Sequence, residues 1–440
     1  MPSIALAIEK AGVVGAGGGG FPTHVKAAAR ADTVIANGAE CEPLLESDTA
    51  LMTAAPERVL RGLELMAEAV GASRAVVAVK AENAEATDAL SRATGRSGVE
   101  VLVLENVYPA GDEFLLVYEA TGRVTPEGGF PTDVGVVVNN VTTLAQVADA
   151  SEGRPVTARS VTVQGDVERP GVYAVPIGTA VGDAVAQAGP RDPESVILVG
   201  GPMMGHLARS QDEPTTKTVA GLIVLPRAHR LVTTRLASES HVLRVARAAC
   251  CQCLACTELC PRALLGHALA PHRTVRAVQY DTVALERASV TSSFLCSECG
   301  MCELFACPLE IQPRRILADL KAELGRRGVR NPHGRRDLKP EGVRTWRQVP
   351  SARLTQRLGV AAYGSTPTPP RGAVAPGRVS LRLSQHAGSP AAPVVRAGDR
   401  VLTGDVVAEK APEALSARVH ASIGGTVASI SAEEIVIETR

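Results

Sequence analysis

The sequence predicts a multidomain α/β + α chain. Its parts are an N-terminal α/β domain, a small β-grasp unit, an α-helical segment holding two cysteine runs, and a C-terminal all-β barrel-sandwich module. Three observations predict this. Glycine-rich turns, helical patterns and β-branched runs ("RAVVAV", "VEVLVL") alternate to about residue 150, as in a largely parallel sheet with helical crossovers. Nine of the 10 cysteines fall within residues 250–307. Beyond residue 377 short strands and regular turns replace the helical pattern.

The elements follow in order. "SIALAIEKA" reads as a first helix, and a glycine loop, "GAGGGGFPTHVK", runs into a second helix starting near Thr23. Residues 1–150 form the α/β domain. Residues 154–235 form the β-grasp unit, with a turn at Gly165, a strand through Val172–Val175, a helix from Val181, and the strand and tight turn of "VILVGGPMMG". Residues 240–330 are the helical segment. Residues 331–376, with "NPHGRRDLKPEG" and "GSTPTPPRG", read as an irregular Arg/Pro-rich connector. Residues 377–440 resemble lipoyl or biotinyl sandwich modules, but "EALSARVHA" lacks the lysine that carries the cofactor at the hairpin tip.

Composition narrows the function. Forty-six basic and 46 acidic side chains give no net charge and no general pull toward nucleic acid or anionic membranes. Aromatics at 2% offer no base-stacking platform. No stretch approaches the ~18 apolar residues of a membrane span, and the N-terminus shows no signal cleavage pattern. The expectation is a cytoplasmic protein, where clustered cysteines bind metal or do redox chemistry. The basic stretch "RRGVRNPHGRRDLK" reads as a solvated face.

The first cysteine run is Cys250-x2-Cys253-x2-Cys256-x3-Cys260-Pro261, the bacterial ferredoxin spacing in full. The second, Cys296-x2-Cys299-x2-Cys302-x4-Cys307-Pro308, has one extra residue before its last cysteine. Three thiolates two residues apart grip one cubane, and the fourth, before a proline, points to the other. Crossed ligation is therefore expected: Cys250, Cys253, Cys256 and Cys307 hold one 4Fe–4S cluster, and Cys296, Cys299, Cys302 and Cys260 the other. Zinc would leave the trailing Cys-Pro without purpose. Cys251 lies outside the spacing and Cys41 lies far from both runs; both read as packed thiols, Cys41 also as lining for the glycine-loop site.

In the glycine loop no Cβ bars an anion from the backbone amides, and the following helix N-terminus and Lys26 add positive charge. Three polar islands end or follow strand-like runs, where α/β folds place ligands: "NGAECEP", "VYPAGDE" and "NNVTTL".

The loop, these islands and "GGPMMG" resemble the flavin-binding subunit family shared by the flavoprotein subunit of respiratory complex I and the C subunit of the Rnf complex. The resemblance implies an FMN domain whose loop cradles the phosphate while NADH docks over the flavin. It assigns FMN contacts to Gly15, Gly17, Gly18, Gly20, Lys26, Asn37, Glu40, Tyr108, Gly111, Glu113, Asn139, Asn140 and Thr143, with Phe21 and Glu42 on the nicotinamide side. Ala16 and Ala39 depart from the arginine and aspartate of the complex I form. The β-grasp unit resembles the SLBB (soluble-ligand-binding) domain of the same family.

The Rnf relatives carry their sandwich module first, whereas here it comes last. That order, with "CCQCLACTELCPRALLGH", resembles the cobalamin reductases of propanediol-utilisation microcompartments. The implied function is NADH-dependent reduction of a corrinoid inside a bacterial microcompartment, with a cobalamin adenosyltransferase and shell proteins as partners. The alternative is an electron-entry subunit of a membrane-bound Rnf-like complex. A non-enzymatic scaffold would leave eight ordered thiols without purpose. Hydride transfer needs no protein acid or base, so no catalytic residue is named. His206, His267 and His272 read as ordinary histidines rather than corrinoid ligands.

Overall fold

The computed structural model describes residues 3–95, 98–280, 284 and 287–439. The first unit is a four-stranded, all-parallel sheet in the order Glu100–Leu104, Arg74–Lys80, Thr33–Gly38, Val136–Asn140. Helices cover both faces, so the strands are near-continuous apolar runs. Val34, Ala36, Val77 and Val137 face the helices Pro56–Val70 and Val141–Ser151. Ile35, Ala78, Val136 and Val138 face the helix Glu113–Thr121.

The chain builds outward from Thr33–Gly38 to Glu100–Leu104, then returns to the opposite side as Val136–Asn140. The order reverses between Thr33–Gly38 and Val136–Asn140, and at such a switch point the loops beyond the strand ends diverge and leave a crevice. "NGAE" and "NNVTT" sit at those two ends.

The second unit is a six-stranded mixed sheet, with Ala158–Gly165 and Gly171–Pro176 as its hairpin and the helix Val181–Ala186 packed on it. Its strands Val196–Val199 and His206–Leu207 flank the "GGPMM" turn. The third unit packs the helices Glu239–Ala249, Pro271–Gln279 and Pro313–Arg326 around both cysteine runs. The last is a sandwich of a four-stranded and a three-stranded sheet, Arg378–Arg382 to Glu434–Glu438. Its Val379, Leu381 and Ile435 share one apolar cluster with Ile8, Val13 and Leu63 of the first unit.

The connector is more ordered than its composition suggests. Val349–Pro350 pairs with Val107–Tyr108, Ser351–Leu358 is a helix, and Pro370–Ala373 adds an edge strand to the second unit. Both prolines sit where no ladder donor is missed, at a strand end and at the start of an edge strand.

Candidate functional site

The glycine loop closes on itself: the Gly15 amide donates to Phe21 O at 2.8 Å and the Gly20 amide to Gly15 O at 3.1 Å. Behind it, the Ala16 amide donates to Thr143 Oγ1 at 2.9 Å, which pins the loop to the N-terminus of Val141–Ser151. Gly17, Gly18 and Gly19 are exposed, and around the position of a Cβ at Gly18 or Gly19 the space is open. Among the described residues, the amides of these three glycines have no acceptor in the protein. Three consecutive free amides at the switch point make an anion cradle.

The Asn139 amide nitrogen, buried at the end of its strand, is also without a partner. A phosphate with a flat polar ring beyond it would satisfy this donor set, so the residues present fit FMN.

The structure gathers some predicted residues at this crevice and ties others down elsewhere. Lys26 reaches its open edge, donating to Glu113 Oε1 at 3.0 Å and Val138 O at 2.7 Å. Asn37 donates to Gly111 O at 2.9 Å, and the Gly111 backbone lies against Ala39 and Cys41. Asn140 accepts from the amides of Thr142 and Thr143 and donates to Asp48 at 2.5 Å, so both ends of its side chain are used. Phe21 is half-buried beside the loop. Gly20 is buried against the sandwich, its oxygen accepting from the Ala387 amide at 2.9 Å.

Glu40 caps the helix Ser47–Ala54 by accepting from the Asp48 and Thr49 amides. Burial, with Asp48 beside it, pushes its carboxyl up to about 7. Glu42 accepts from the amides of Met203 and Met204, each at 2.8 Å, and burial raises it to about 7. Both glutamates thus accept from backbone amides of other segments. Tyr108 is buried, and its hydroxyl donates to the Cys299 carbonyl at 2.6 Å.

Sequence reasoning missed Arg159. This buried guanidinium from the second unit donates to Ala16 O at 2.7 Å, and its Nη1 has no partner. It brings positive charge behind the loop position where the complex I form carries arginine, and nothing in the spacing of a distant strand signals that.

The cysteines form two groups of four. One pocket is lined by Cys250, Cys253, Cys256 and Cys307, and also by Cys251 and His272. The other is lined by Cys260, Cys296, Cys299 and Cys302. In each, the last cysteine comes from the opposite run. Burial first, then the Cys307, Cys253 and Cys250 sulfurs, push the Cys256 thiol up to about 12. Burial, then Cys296, Cys299 and Cys260, raises Cys302. Each set of four cysteines lines its own pocket.

Both runs wrap the same way. The residues two and four after the first cysteine are left-handed: Gln252 (φ 55°) and Leu254 (φ 65°), then Glu298 (φ 59°) and Gly300 (φ 80°). Such turns aim amides inward: the Glu298 amide donates to Cys296 Sγ at 3.3 Å. The extra residue of the second run is absorbed by a π-helical turn, Met301–Ala306, which delivers Cys307 to the first triplet.

Three contacts join the flavin-type unit and its neighbour to the second triplet. Tyr108 OH donates to Cys299 O at 2.6 Å. Arg262, two residues after Cys260, pairs with Asp112 at 3.0 Å and lies 3.5 Å over the Phe114 ring. Met203 O lies 3.0 Å from where a Cβ on Gly300 would stand. His206 pairs with Glu213 at 2.7 Å and His272 with Thr257 at 2.7 Å, while His267 is buried beside Phe114 with its Nε2 unpartnered among the described residues.

Comparison with known proteins follows the same divisions. Residues 8–149 match the Nuo51 FMN-binding domain, 160–206 the SLBB domain, 249–312 the 4Fe-4S dicluster domain, and 363–439 the RnfC barrel sandwich hybrid domain. The chain therefore carries an FMN domain and a two-cluster domain. The C subunit of the Na+-translocating ferredoxin:NAD+ oxidoreductase complex of Acetobacterium woodii is 37% identical over 262 residues, 58% of this chain and 56% of that protein. The fold is also that of a chain of an NAD+-reducing NiFe hydrogenase in its H2-reduced state, with a TM-score of 0.50 and 24% identity over 75% of this chain and 63% of that one. The cobalamin reductase PduS of Citrobacter freundii is 42% identical over 98% of this chain and 95% of that protein. With 43% identity to PduS of Salmonella typhimurium LT2 over those same shares of the two chains, this chain belongs to the cobalamin reductase PduS family of oxidoreductases.

Proposed function

We propose that this chain oxidises NADH at the glycine-loop crevice and delivers single electrons to a corrinoid, keeping the cobalt reduced for a B12-dependent enzyme. Bound FMN supplies the conversion between a two-electron donor and one-electron acceptors. The chain holds the phosphate on the Gly17–Gly19 amides, with Arg159 and Lys26 supplying charge, and presents Asn37, Asn139 and Gly111 to the ring. Cys250, Cys253, Cys256 and Cys307 hold one cluster, and Cys260, Cys296, Cys299 and Cys302 the other. The observation that carries this reading is the pocket pair in which each fourth cysteine joins the opposite triplet, with Tyr108 of the crevice-forming unit bound to one of them.

No helix among the described residues is long and apolar enough to cross a membrane. The reading places the protein in the cytoplasm within a bacterial microcompartment, with an adenosyltransferase and shell proteins as partners. The test is anaerobic purification with iron, sulfide and flavin quantification, followed by NADH-driven reduction of cob(III)alamin. About eight irons and one flavin per chain with corrinoid turnover supports it. NADH oxidation without corrinoid reduction overturns the substrate and returns the Rnf-like role.

A further inference from the structure

We infer that the two cysteine sites have different jobs: Cys260, Cys296, Cys299 and Cys302 form an inner site facing the flavin unit, and Cys250, Cys253, Cys256 and Cys307 form the port at which electrons leave for the acceptor. The inference rests on the flavin and cluster reading above.

Sealing distinguishes the sites. Of the inner four, Cys260 and Cys302 are buried and none is exposed. The Tyr108 hydroxyl, the Asp112–Arg262 pair and the Met203 backbone all close on that site from the side of the crevice. At the port, Cys253 is exposed, as are the neighbouring Cys251, Leu254, Pro308 and Leu309. Tyr280, 58% exposed, accepts from Gln252 at 3.2 Å at the same mouth.

The left-handed position after the second cysteine records the same asymmetry. In the inner run it is Gly300, with φ +80° and Met203 O 3.0 Å from where a Cβ would stand, tighter than an ordinary contact. In the port run it is Leu254, which adopts the same left-handed backbone with a side chain that is 40% exposed. The two runs are built on one pattern, and only one has been covered. Electron transfer falls steeply with distance, so the covered site takes electrons from the crevice and the open one gives them up. At each passage one electron leaves the donor and one reduces the acceptor; no atom or proton is exchanged at the cysteines.

The test uses full-length protein, purified anaerobically with both clusters, and freeze-quench EPR after mixing with NADH. In Cys299→Ala the remaining port cluster is expected to stay oxidised with NADH yet to reduce with dithionite. In Cys253→Ala the remaining inner cluster is expected to reduce with NADH as in the unaltered protein. A port cluster that NADH reduces equally well in Cys299→Ala overturns the order.

Leu254→Arg, which alters no ligand, keeps the assignment testable if ligand variants do not fold. It is expected to leave NADH-driven cluster reduction intact and to slow transfer to aquacobalamin by about tenfold, roughly 1.4 kcal/mol of barrier. Unchanged transfer overturns the port. If the unaltered protein does not reduce aquacobalamin, the substrate reading fails, while the EPR order still decides this inference. If NADH fails as donor, photoreduction of the flavin in the presence of EDTA replaces it.

Discussion

The Tyr108 hydroxyl donates a 2.6 Å hydrogen bond to the backbone carbonyl of Cys299, tying the second polar island of the flavin unit to a predicted cluster ligand. Tyr108 is 3% exposed, so water cannot replace the bond. Tyr108→Phe should cost about 1 kcal/mol of stability by leaving that carbonyl unpaired. Removing a donor beside the ligand should also lower the potential of the inner cluster, because less positive dipole faces the added electron. An EPR-monitored redox titration reads this; an unchanged potential means that the bond is only structural.

Gly62 lies mid-helix in Pro56–Val70, where alanine would ordinarily be better by about 0.5–1 kcal/mol. A Cβ there would stand 1.8 Å from Leu144 O, so the helix pair could not keep its approach. Gly62→Ala should therefore lower the melting temperature. Val141–Ser151 carries Thr143, which holds the glycine loop, so flavin content should fall with it. A melting temperature that rises would show that the helices separate freely.

Glu42 gives a pH dependence of known sign. Its folded pKa, raised by burial to about 7, exceeds the ordinary 4.5 of a glutamate, so the folded state binds the extra proton between those values. Its contribution to stability is complete below about 4.5 and is lost as pH rises through 7. Glu42→Gln should flatten that slope. Denaturant titrations at pH 5 and 7.5 on both proteins test it, and parallel slopes would refute it.

Lys217 works in the opposite direction. It is 2% exposed and donates to Gly12 O and Arg418 O, each at 2.6 Å, where three units meet. Burial lowers it from 10.5 to about 7, so between those values the unfolded chain holds a proton that the folded chain lacks. Stability from this group rises with pH across that window and is at its lowest below 7. Lys217→Met should remove the rise, read from melting temperatures between pH 7 and 9.5. The same rise in the methionine variant would place its origin elsewhere.

The cysteine runs were the most readable part of the chain because their spacing is local: two-residue intervals imply a turn, and the trailing Cys-Pro implies an exchange between runs. The π-helical turn was not legible, although the extra residue in Cys302-x4-Cys307 was the trace it left. The crevice was half legible. Asn37, Asn139 and Asn140 lie at strand ends that periodicity locates, whereas the glycine loop lies between two helices, where only its composition marks it; no spacing shows that Glu40 and Glu42 also accept amides from other segments. The connector's composition hid its strands, which exist only because other sheets offer edges to pair with.

By itself the sequence predicted the domain order, the parallel sheet and a division of eight thiols into two sets of four, since each reading depends on short-range pattern and chain geometry. How deeply each cysteine is buried, that Arg159 backs the glycine loop, and that Tyr108 meets Cys299 were decided by tertiary structure alone. Those contacts join residues 143 and 191 positions apart in the chain, and only packing between folded units fixes where such distant side chains meet.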